Sequence, residues 1–268
     1  MGLIGLEHVS FSYDGEDRKV LSDVSLSIEK GTFLSVIGHN GSGKSTFSRL
    51  LNGLLVPTSG KVIVDGLDTG NRKNLKEIRR KVGVVFQNPD NQIVSDTVEE
   101  DTAFAPENMG LSRKEISERV ERALAAVGLL DKRYDNPNEV SGGEKARLSL
   151  SGILAMDPEV LVLDEVTAML DPEGRKRIME ILMDLKSRGK TIVFITHHTE
   201  ETLYSDRLIV FKDGRIIQDG EPREIYSDPV DDTIPLTFAS RLNLKLKEKG
   251  IDIFDGAVTL SDIGGGLC

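Results

Sequence analysis

The segment GHNGSGKST, Gly38 to Thr46, constrains this chain more than any other stretch. Three glycines are followed by Lys44 and then by the hydroxyls of Ser45 and Thr46. Before it lies the apolar run FLSVI (Phe33 to Ile37), and after it FSRLLNGLL (Phe47 to Leu55), whose apolar residues recur at helical spacing. The flanks predict a strand that enters a glycine turn and opens a helix. That context is what the pattern G-x-x-x-x-G-K-[ST] requires, filled here by Gly38, Gly43, Lys44 and Ser45. With no side chains at Gly38, Gly41 and Gly43, the backbone can curl until successive N–H groups converge on a phosphate at the positive end of the helix. The cradle would run through Gly38, His39, Asn40, Gly41, Ser42, Gly43, Lys44, Ser45 and Thr46. Lys44 would reach the β and γ phosphates and Ser45 would ligate Mg²⁺. A glycine-rich turn without a ligand is the plain alternative.

Composition narrows what is done with the phosphate. The chain is acidic, with a formal net charge of −10, and carries no lysine or arginine block. Duplex nucleic acid is a poor partner for it, because binding there leans on neutralising phosphates. No apolar stretch approaches the length of a membrane span, and the start MGLIGLEHVSF has no basic region ahead of a long apolar core, so the chain is expected to stay in the cytosol. Its one cysteine, Cys268, is the last residue, which leaves neither a disulfide framework nor a thiol cluster. The histidines stand at His8, His39, His197 and His198 without metal-ligand spacing. Adjacent residues at a strand end point opposite ways, so His197 and His198 are not expected to share a metal.

Along the chain, strands and helices alternate in the manner of a mostly parallel sheet covered by helices. VSLSI (Val24 to Ile28) alternates as a half-buried strand, KVIVDG (Lys61 to Gly66) ends in a turn, and VGVVF (Val82 to Phe86) reads as another strand. From about Asp96 to Asp157 strand signals fade. There Ser112 and Glu115 form a capping box ahead of Ile116, Val120, Leu124 and Val127 on one helix face. A helical insert therefore interrupts the sheet. Strands return with VLVLDE (Val160 to Glu165) and TIVFIT (Thr191 to Thr196), joined by a helix striped with Ile178, Ile181, Leu182 and Leu185. LIVFKDGRII predicts a hairpin turning at Asp213 and Gly214.

VLVLDE is the second chemical signal. A buried strand delivers Asp164 to the carboxyl edge of the sheet, where ligands bind in open α/β folds, and there it can hold Mg²⁺ through water. Glu165 beside it suits a general base that polarises the water attacking a γ-phosphate; an ordinary acidic strand end is the alternative. The third signal is VSGGEKARLSL (Val140 to Leu150). Ser141, Gly142 and Gly143 open a helix, and backbone N–H groups with the Ser141 hydroxyl make another anion site, or simply a cap.

With Ser141 placed inside the insert and ahead of Asp164, the chain resembles the ATP-binding-cassette ATPases. The resemblance implies an α/β P-loop NTPase with a RecA-like core sheet, an antiparallel β-subdomain and an inserted helical subdomain at about 96–157, over residues 1–225. It also implies roles. Tyr13 looks like the aromatic that stacks on adenine, or else a hairpin aromatic packed with Phe11. Gln87 looks like the glutamine that senses Mg²⁺ and the membrane subunit, or a plain strand-end amide. VSGGE matches the signature, AMLD (Ala168 to Asp171) the loop that crosses the dimer interface, and His197 the switch histidine at the γ-phosphate. In that family the P-loop of one copy and the signature of another enclose each ATP, so the resemblance implies a second ATPase subunit, a twin or a sister.

LLNGLLVPTSGKVIVDG (Leu50 to Gly66), VFQNPDNQIV (Val85 to Val94) and AMLDP look like the ATPases of energy-coupling factor transporters, importers of vitamins and of cobalt or nickel ions. Their likeness implies a transmembrane scaffold subunit, a substrate-binding membrane subunit and peripheral attachment to the cytoplasmic face of the membrane. It also implies a short helix around Asn91 to Asp96 that docks the scaffold's coupling helices, where the local negative charge would meet basic groups. Two positions depart from the pattern: Glu144 stands where glutamine is usual and Ala168 where serine is usual. A carboxylate at Glu144 would repel phosphate unless it turns away or pairs with Lys145 or Arg147, and modestly slower hydrolysis than in a Glu144→Gln variant is the expectation. The pattern stops near Ile225. Residues 226–268, including FASRLNLKLKEKG (Phe238 to Gly250), form an extension; similar tails help paired ATPases associate, and a surface appendage is the alternative.

Rival readings are a cassette ATPase of DNA repair, chromosome structure or the ribosome, another importer class, or a nucleotide-binding regulator that does not hydrolyse. The short interval between Lys44 and Ser141 has no room for a chromosome-type coiled coil, ribosome-type members carry two cassettes in one chain, and Glu165 with His197 argues for hydrolysis.

Overall fold

Burial along the strands sorts them into two kinds of sheet. The computed structural model describes residues 2–15, 18–231, 234–250 and 256–265, so Cys268 and parts of the extension lie outside the described residues. The chain runs through β1 (Ile4–Phe11), β2 (Leu21–Ile28) and β3 (Phe33–Gly38) into α1 (Lys44–Leu51), then β4 (Ser59–Val64), β5 (Leu67–Asp68), α2 (Leu75–Lys81) and β6 (Val82–Val85). Three helices follow with no strand between them: α3 (Val98–Asn108), α4 (Arg113–Val127) and α5 (Gly142–Met156). Then come β7 (Val160–Asp164), α6 (Pro172–Ser187), β8 (Thr191–Ile195), β9 (Arg207–Lys212) and β10 (Arg215–Gly220), and finally α7 (Pro222–Ser227), α8 (Phe238–Glu248) and α9 (Leu260–Gly265).

β2 buries every second residue over its latter part, as a sheet wet on one face does, and it belongs to an antiparallel sheet of order β2-β1-β4-β5. β3, β6, β7 and β8 are buried at every position. They are parallel neighbours in a sheet of order β10-β9-β3-β8-β7-β6, with β9 parallel to β3 and only β10 antiparallel at the edge. Because side chains alternate across a strand, the central strands feed two interiors. Val193 and Ile195 face a core shared with the antiparallel sheet and with Phe47 and Leu50 of α1. Ile192 and Phe194 face a second core with Val120, Leu124 and Val127 of α4 and Ile178 and Leu182 of α6. Truncating one of these, as in Leu182→Ala, costs about 2–5 kcal/mol.

The expected insert is α3 to α5, packed on one another and on the second core. Ser112 and Glu115 make the reciprocal capping box, Val120, Leu124 and Val127 are buried with Ile116 half-buried, and Gly128 ends α4 in the left-handed region. The β9–β10 hairpin turns at Asp213 and Gly214, both with positive φ, as expected. One expectation is corrected. In place of a short helix over Asn91 to Asp96, a single 3₁₀ turn covers Pro89–Asn91, and residues 93–96 are irregular. The turn starts earlier because Pro89 fixes its own φ and the Asn88 side chain accepts the Asp90 N–H.

The extension is docked. Ile234 and Val258 join Tyr226 of α7, Ile37, Leu208 and Val210 in a third apolar cluster at the β9–β10 edge of the sheet. The Thr237 hydroxyl caps α8 by accepting the Ser240 N–H and donates to the Val258 carbonyl.

Candidate nucleotide site

β3 ends at Gly38, the loop spans residues 39–43, and α1 begins at Lys44. Gly38 adopts φ 152°, where an added Cβ would lie 2.3 Å from the Phe211 carbonyl oxygen, so only glycine fits against β9. The loop is braced from a direction that local sequence does not reveal. The Gly214 N–H donates to the Ser42 carbonyl at 3.1 Å, the Ser22 N–H donates to the Gly214 carbonyl at 2.9 Å, and a Cβ on Gly214 would meet the Val20 carbonyl oxygen at 2.3 Å. The hairpin turn is thus wedged between the loop and β2. Lys44 is buried, and its ammonium donates to the Gly38 carbonyl at 2.7 Å and the His39 carbonyl at 3.1 Å. Burial pushes it below the usual lysine range, opposed by the charges of Glu165 and Asp164.

The two acids leave the sheet in different ways. Asp164 is the last residue of β7, and burial raises its carboxyl above the usual range, opposed by a hydrogen bond from Ser45. Ser48, one helical turn along α1 from Lys44, donates to Asp164 Oδ2 at 3.3 Å. Asp164 Oδ1 is buried with no hydrogen-bond partner among the described residues. An unpartnered carboxylate oxygen beside a serine hydroxyl is a hard oxygen donor set, which fits Mg²⁺. Glu165 follows with φ 55°, a left-handed conformation that costs a non-glycine residue of order 1 kcal/mol and that strained functional sites retain. Its N–H donates to the Ile195 carbonyl at 2.9 Å. From there its Oε1 lies 2.5 Å from His197 Nε2, and its Oε2 accepts from Gln87 Nε2 at 2.5 Å. Strand ends β6, β7 and β8 thus place Gln87, Asp164, Glu165 and His197 together.

Tyr13 packs with Phe11 and also borders the P-loop cleft. Its ring stands perpendicular to that of Phe11 with centroids 4.9 Å apart, its hydroxyl lies 3.2 Å from Thr46 Oγ1, and the residue lines a cleft of about 620 Å³. Asn40, Gly41, Gly43, Lys44, Ser45, Gln87 and Glu165 line the same cleft. Arg18 and Lys19 also line it, contributors that the sequence pattern does not reveal, and they add positive charge to its wall. Gln92 is another unexpected contributor. It accepts the Phe86 N–H at 2.8 Å and donates to the Val84 carbonyl at 3.2 Å, standing in for a strand partner beside Gln87.

The signature lies elsewhere. Ser141 caps α5 by accepting the Glu144 N–H at 3.3 Å, while Glu144 Oε2 accepts the Ser141 N–H at 2.8 Å and its hydroxyl at 2.9 Å. The partner expected for Glu144 is corrected in part: Lys132 bonds its Oε1 at 2.7 Å, Arg147 stands at 4.0 Å, and Lys145 bonds Asp90 instead. Lys132, helped by the Ser141 N–H, holds Glu144 down at about 2. Ser141, Gly143 and Glu144 line a separate cleft of about 470 Å³ with Met169, Leu170 and Asp171 of the crossing loop. Gly142 lies at its edge, where a Cβ would stand 3.9 Å from Met169 Sδ. None of the residues lining this cleft lines the P-loop cleft.

The profile described as ABC transporter matches residues 21–168. The chain belongs to the ABC transporter family. It is 45% identical, over 99% of both chains, to a protein of Caldanaerobacter subterraneus subsp. tengcongensis named Energy-coupling factor transporter ATP-binding protein EcfA1. It is 46% identical to a putative ABC transporter ATP-binding protein of Methanosarcina mazei, over 94% of this chain and 92% of that one. Among solved structures it matches cbiO1 of Clostridium perfringens, part of the ABC transporter complex cbiONQ, with a TM-score of 0.77 and 34% identity over 93% of this chain and 97% of that one. It also matches an ATP-binding cassette solved as a post-hydrolysis dimer with ADP and Pi, at TM-score 0.76 and 31% identity over 82% of this chain and 98% of that one. The fold is the P-loop NTPase fold of ABC ATPases, and the chain is an ATP-binding, ATP-hydrolysing cassette.

Proposed function

We propose that this chain is the ATPase subunit of an energy-coupling factor importer, converting ATP-driven pairing into uptake of a micronutrient, a vitamin or a transition metal ion. The relatives' names support the class. The observation that carries the mechanism is the separation of the two clefts, one with the phosphate cradle and the carboxylates, the other with the signature. A nucleotide held by Lys44 leaves this chain's own Ser141 unused, so a second ATPase chain, twin or sister, must bring its signature to the γ-phosphate. The phosphate then gives Lys44 of one subunit and Ser141 of the other a shared charge, and cleavage removes it.

Within one half-site the roles follow from the contacts. The loop N–H groups and Lys44 hold the β and γ phosphates, and Tyr13 offers its ring to the base. Glu165 takes the proton of the attacking water. Gln87 and His197, each at one of its oxygens, hold the carboxylate in place until water or the γ-phosphate displaces them. Ser45, Gln87 and Asp164 would hold Mg²⁺, which supplies neutralisation of the phosphate oxygens when bound.

No helix among the described residues is long and apolar enough to cross a membrane, so the transport path belongs to partners: a transmembrane scaffold subunit and a substrate-binding membrane subunit. On this reading the chain is peripheral on the cytoplasmic face. Exposed Val94 and Phe104, with the acidic start of α3, form the docking face for basic coupling helices. Residues 226–268 serve pairing of the ATPases, with half-exposed Phe238 of α8 turned outward. Purifying the intact complex from membranes with a tagged copy of this chain tests the assignment. Recovery of a multi-span scaffold protein is expected; a soluble chain with nucleic acid or ribosomes would contradict it.

A further inference from the structure

The 3₁₀ segment Thr199–Tyr204 follows the switch histidine and carries a carboxylate that no motif assigns. Glu201 is buried, and its Oε2 accepts two hydroxyls at once, from Thr167 at 2.9 Å and from Thr196 at 2.7 Å. Both threonines are buried as well. Thr196 directly precedes His197, and its oxygen also accepts the His198 N–H at 3.0 Å. Thr167 lies two residues beyond Glu165 and opens the crossing loop, where its carbonyl accepts the Leu170 N–H at 3.1 Å. One carboxylate oxygen therefore ties the segment that bears Glu165 to the segment that bears His197. The same turn is pinned separately from that carboxylate: Thr202 Oγ1 lies 2.7 Å from the buried Tyr226 hydroxyl and donates to the Thr199 carbonyl.

A buried carboxylate is an expensive way to join two loops. Taking the charge out of water costs several kcal/mol, and an apolar contact of the same shape commonly does as well for stability. The other oxygen, Oε1, is buried with no hydrogen-bond partner among the described residues, so the carboxylate is not fully compensated. What a carboxylate offers and an apolar side chain lacks is direction: two short charge-assisted bonds fix both hydroxyls on one point. Those hydroxyls flank the two groups whose mutual distance, 2.5 Å between Glu165 Oε1 and His197 Nε2, sets the geometry of water attack.

We propose that Glu201 is a positioning residue for hydrolysis, a clamp that holds Glu165 and His197 in register and links both to the loop that meets the partner subunit. It does not touch nucleotide, and it rests on the proposed roles of Glu165 and His197. Because small misplacement of a reacting group is costly, Glu201→Ala is expected to lower kcat on the order of 10- to 100-fold while nucleotide affinity, set by the P-loop cleft, moves less than about threefold. Glu201→Gln keeps one oxygen acceptor for both hydroxyls and is expected to recover most of the loss. Thr167→Val and Thr196→Val should each slow turnover, and their effects should not multiply in the double variant, because they share one acceptor.

The experiment measures kcat, nucleotide affinity and Tm on the full-length chain, with Thr202→Val as a control that loosens the same turn without touching Glu201. The clamp is overturned if Glu201→Ala keeps its kcat, or if Thr202→Val at a matched Tm slows turnover equally, since that would make the role structural. Should Glu201→Ala fail to fold, the two threonine variants decide: wild-type kcat in both overturns the proposal. Glu165→Gln run in parallel separates the two levels. Normal hydrolysis there sinks the assignment of the base and this inference with it, whereas a slow Glu165→Gln beside a fast Glu201→Ala sinks only the clamp.

Discussion

The P-loop half of the molecule and the signature half are built to opposite standards of readiness. Around the P-loop, Lys44 at the start of α1 and Asp164 and Glu165 at the end of β7 are buried and already within bonding distance of their neighbours. Around the signature, Ser141 is exposed, Met169 is 55% exposed, and the serine hydroxyl spends its proton on Glu144 of its own cap. One half is a preorganised cradle that pays for strain at Glu165 with the rigidity of the sheet. The other is a helix start waiting for a charge. On the proposed reading a nucleotide settles in the first without help from the second, and a second chain brings them together.

The sharpest break in that comparison comes from Glu165→Gln. Loss of a general base should slow turnover by roughly two to four orders of magnitude. Nucleotide binding should survive, and the ATP-bound pair should accumulate by light scattering; normal turnover would remove the base from Glu165. Next in size is Ser141→Ala. Losing one donor to the γ-phosphate is expected to cost on the order of 10- to 100-fold in turnover. Nucleotide affinity of the single chain should stay at the wild-type value in a calorimetric titration, since Ser141 does not line the P-loop cleft. Affinity falling in step with turnover would mean that the two clefts are not independent.

A smaller effect probes how the signature half is held. Glu144 lies at about 2, well below the ordinary glutamate value of 4.5. A depressed carboxylate contributes stability that is fully present above its unfolded value and is lost as pH falls from about 4.5 through about 2. Lys132→Met removes the largest cause, so Glu144 should titrate closer to 4.5 by NMR, and the stability gap from wild type should close across that acid window. A gap that persists unchanged at the acid end would place the effect elsewhere. The smallest expected change is in Glu144→Gln. Glutamine also completes a capping box, so the helix start survives, while a neutral acceptor competes less strongly than a carboxylate for the Ser141 proton. Turnover should rise by no more than about threefold, because Lys132 already neutralises much of the charge; an unchanged or lower rate would show that Glu144 does not restrain the serine.

The same contrast explains what the sequence could and could not reveal. Residues that work through their neighbours in the chain were legible: the glycines of the loop, the capping box at Ser112, the cap at Ser141, the Asp213–Gly214 turn and the acid pair at the end of β7. Residues that work across the fold were not. Gly214 braces the P-loop from the β9–β10 turn, Lys132 reaches Glu144 from the connection between α4 and α5, and Glu201 gathers Thr167 and Thr196 from beyond two strand ends; in each case the one-dimensional spacing is arbitrary. β1 was also hidden, because His8 at φ 50° interrupts its pairing register and its alternation with it. Arg18 and Lys19 gave only two ordinary basic residues in a turn, and their place at the cleft depends on how β1 and β2 pack over the P-loop.

Mixing two impaired variants tests the central claim most directly. Lys44→Ala spoils the cradle and Ser141→Ala spoils the signature, so a mixed pair holds one site with both defects and one with none. Under conditions where the wild-type chain turns over, equal mixing should restore about a quarter of its activity, the share set by random exchange of subunits acting by mass action. An inactive mixture after demonstrated exchange, or wild-type turnover by Ser141→Ala alone, would contradict the account.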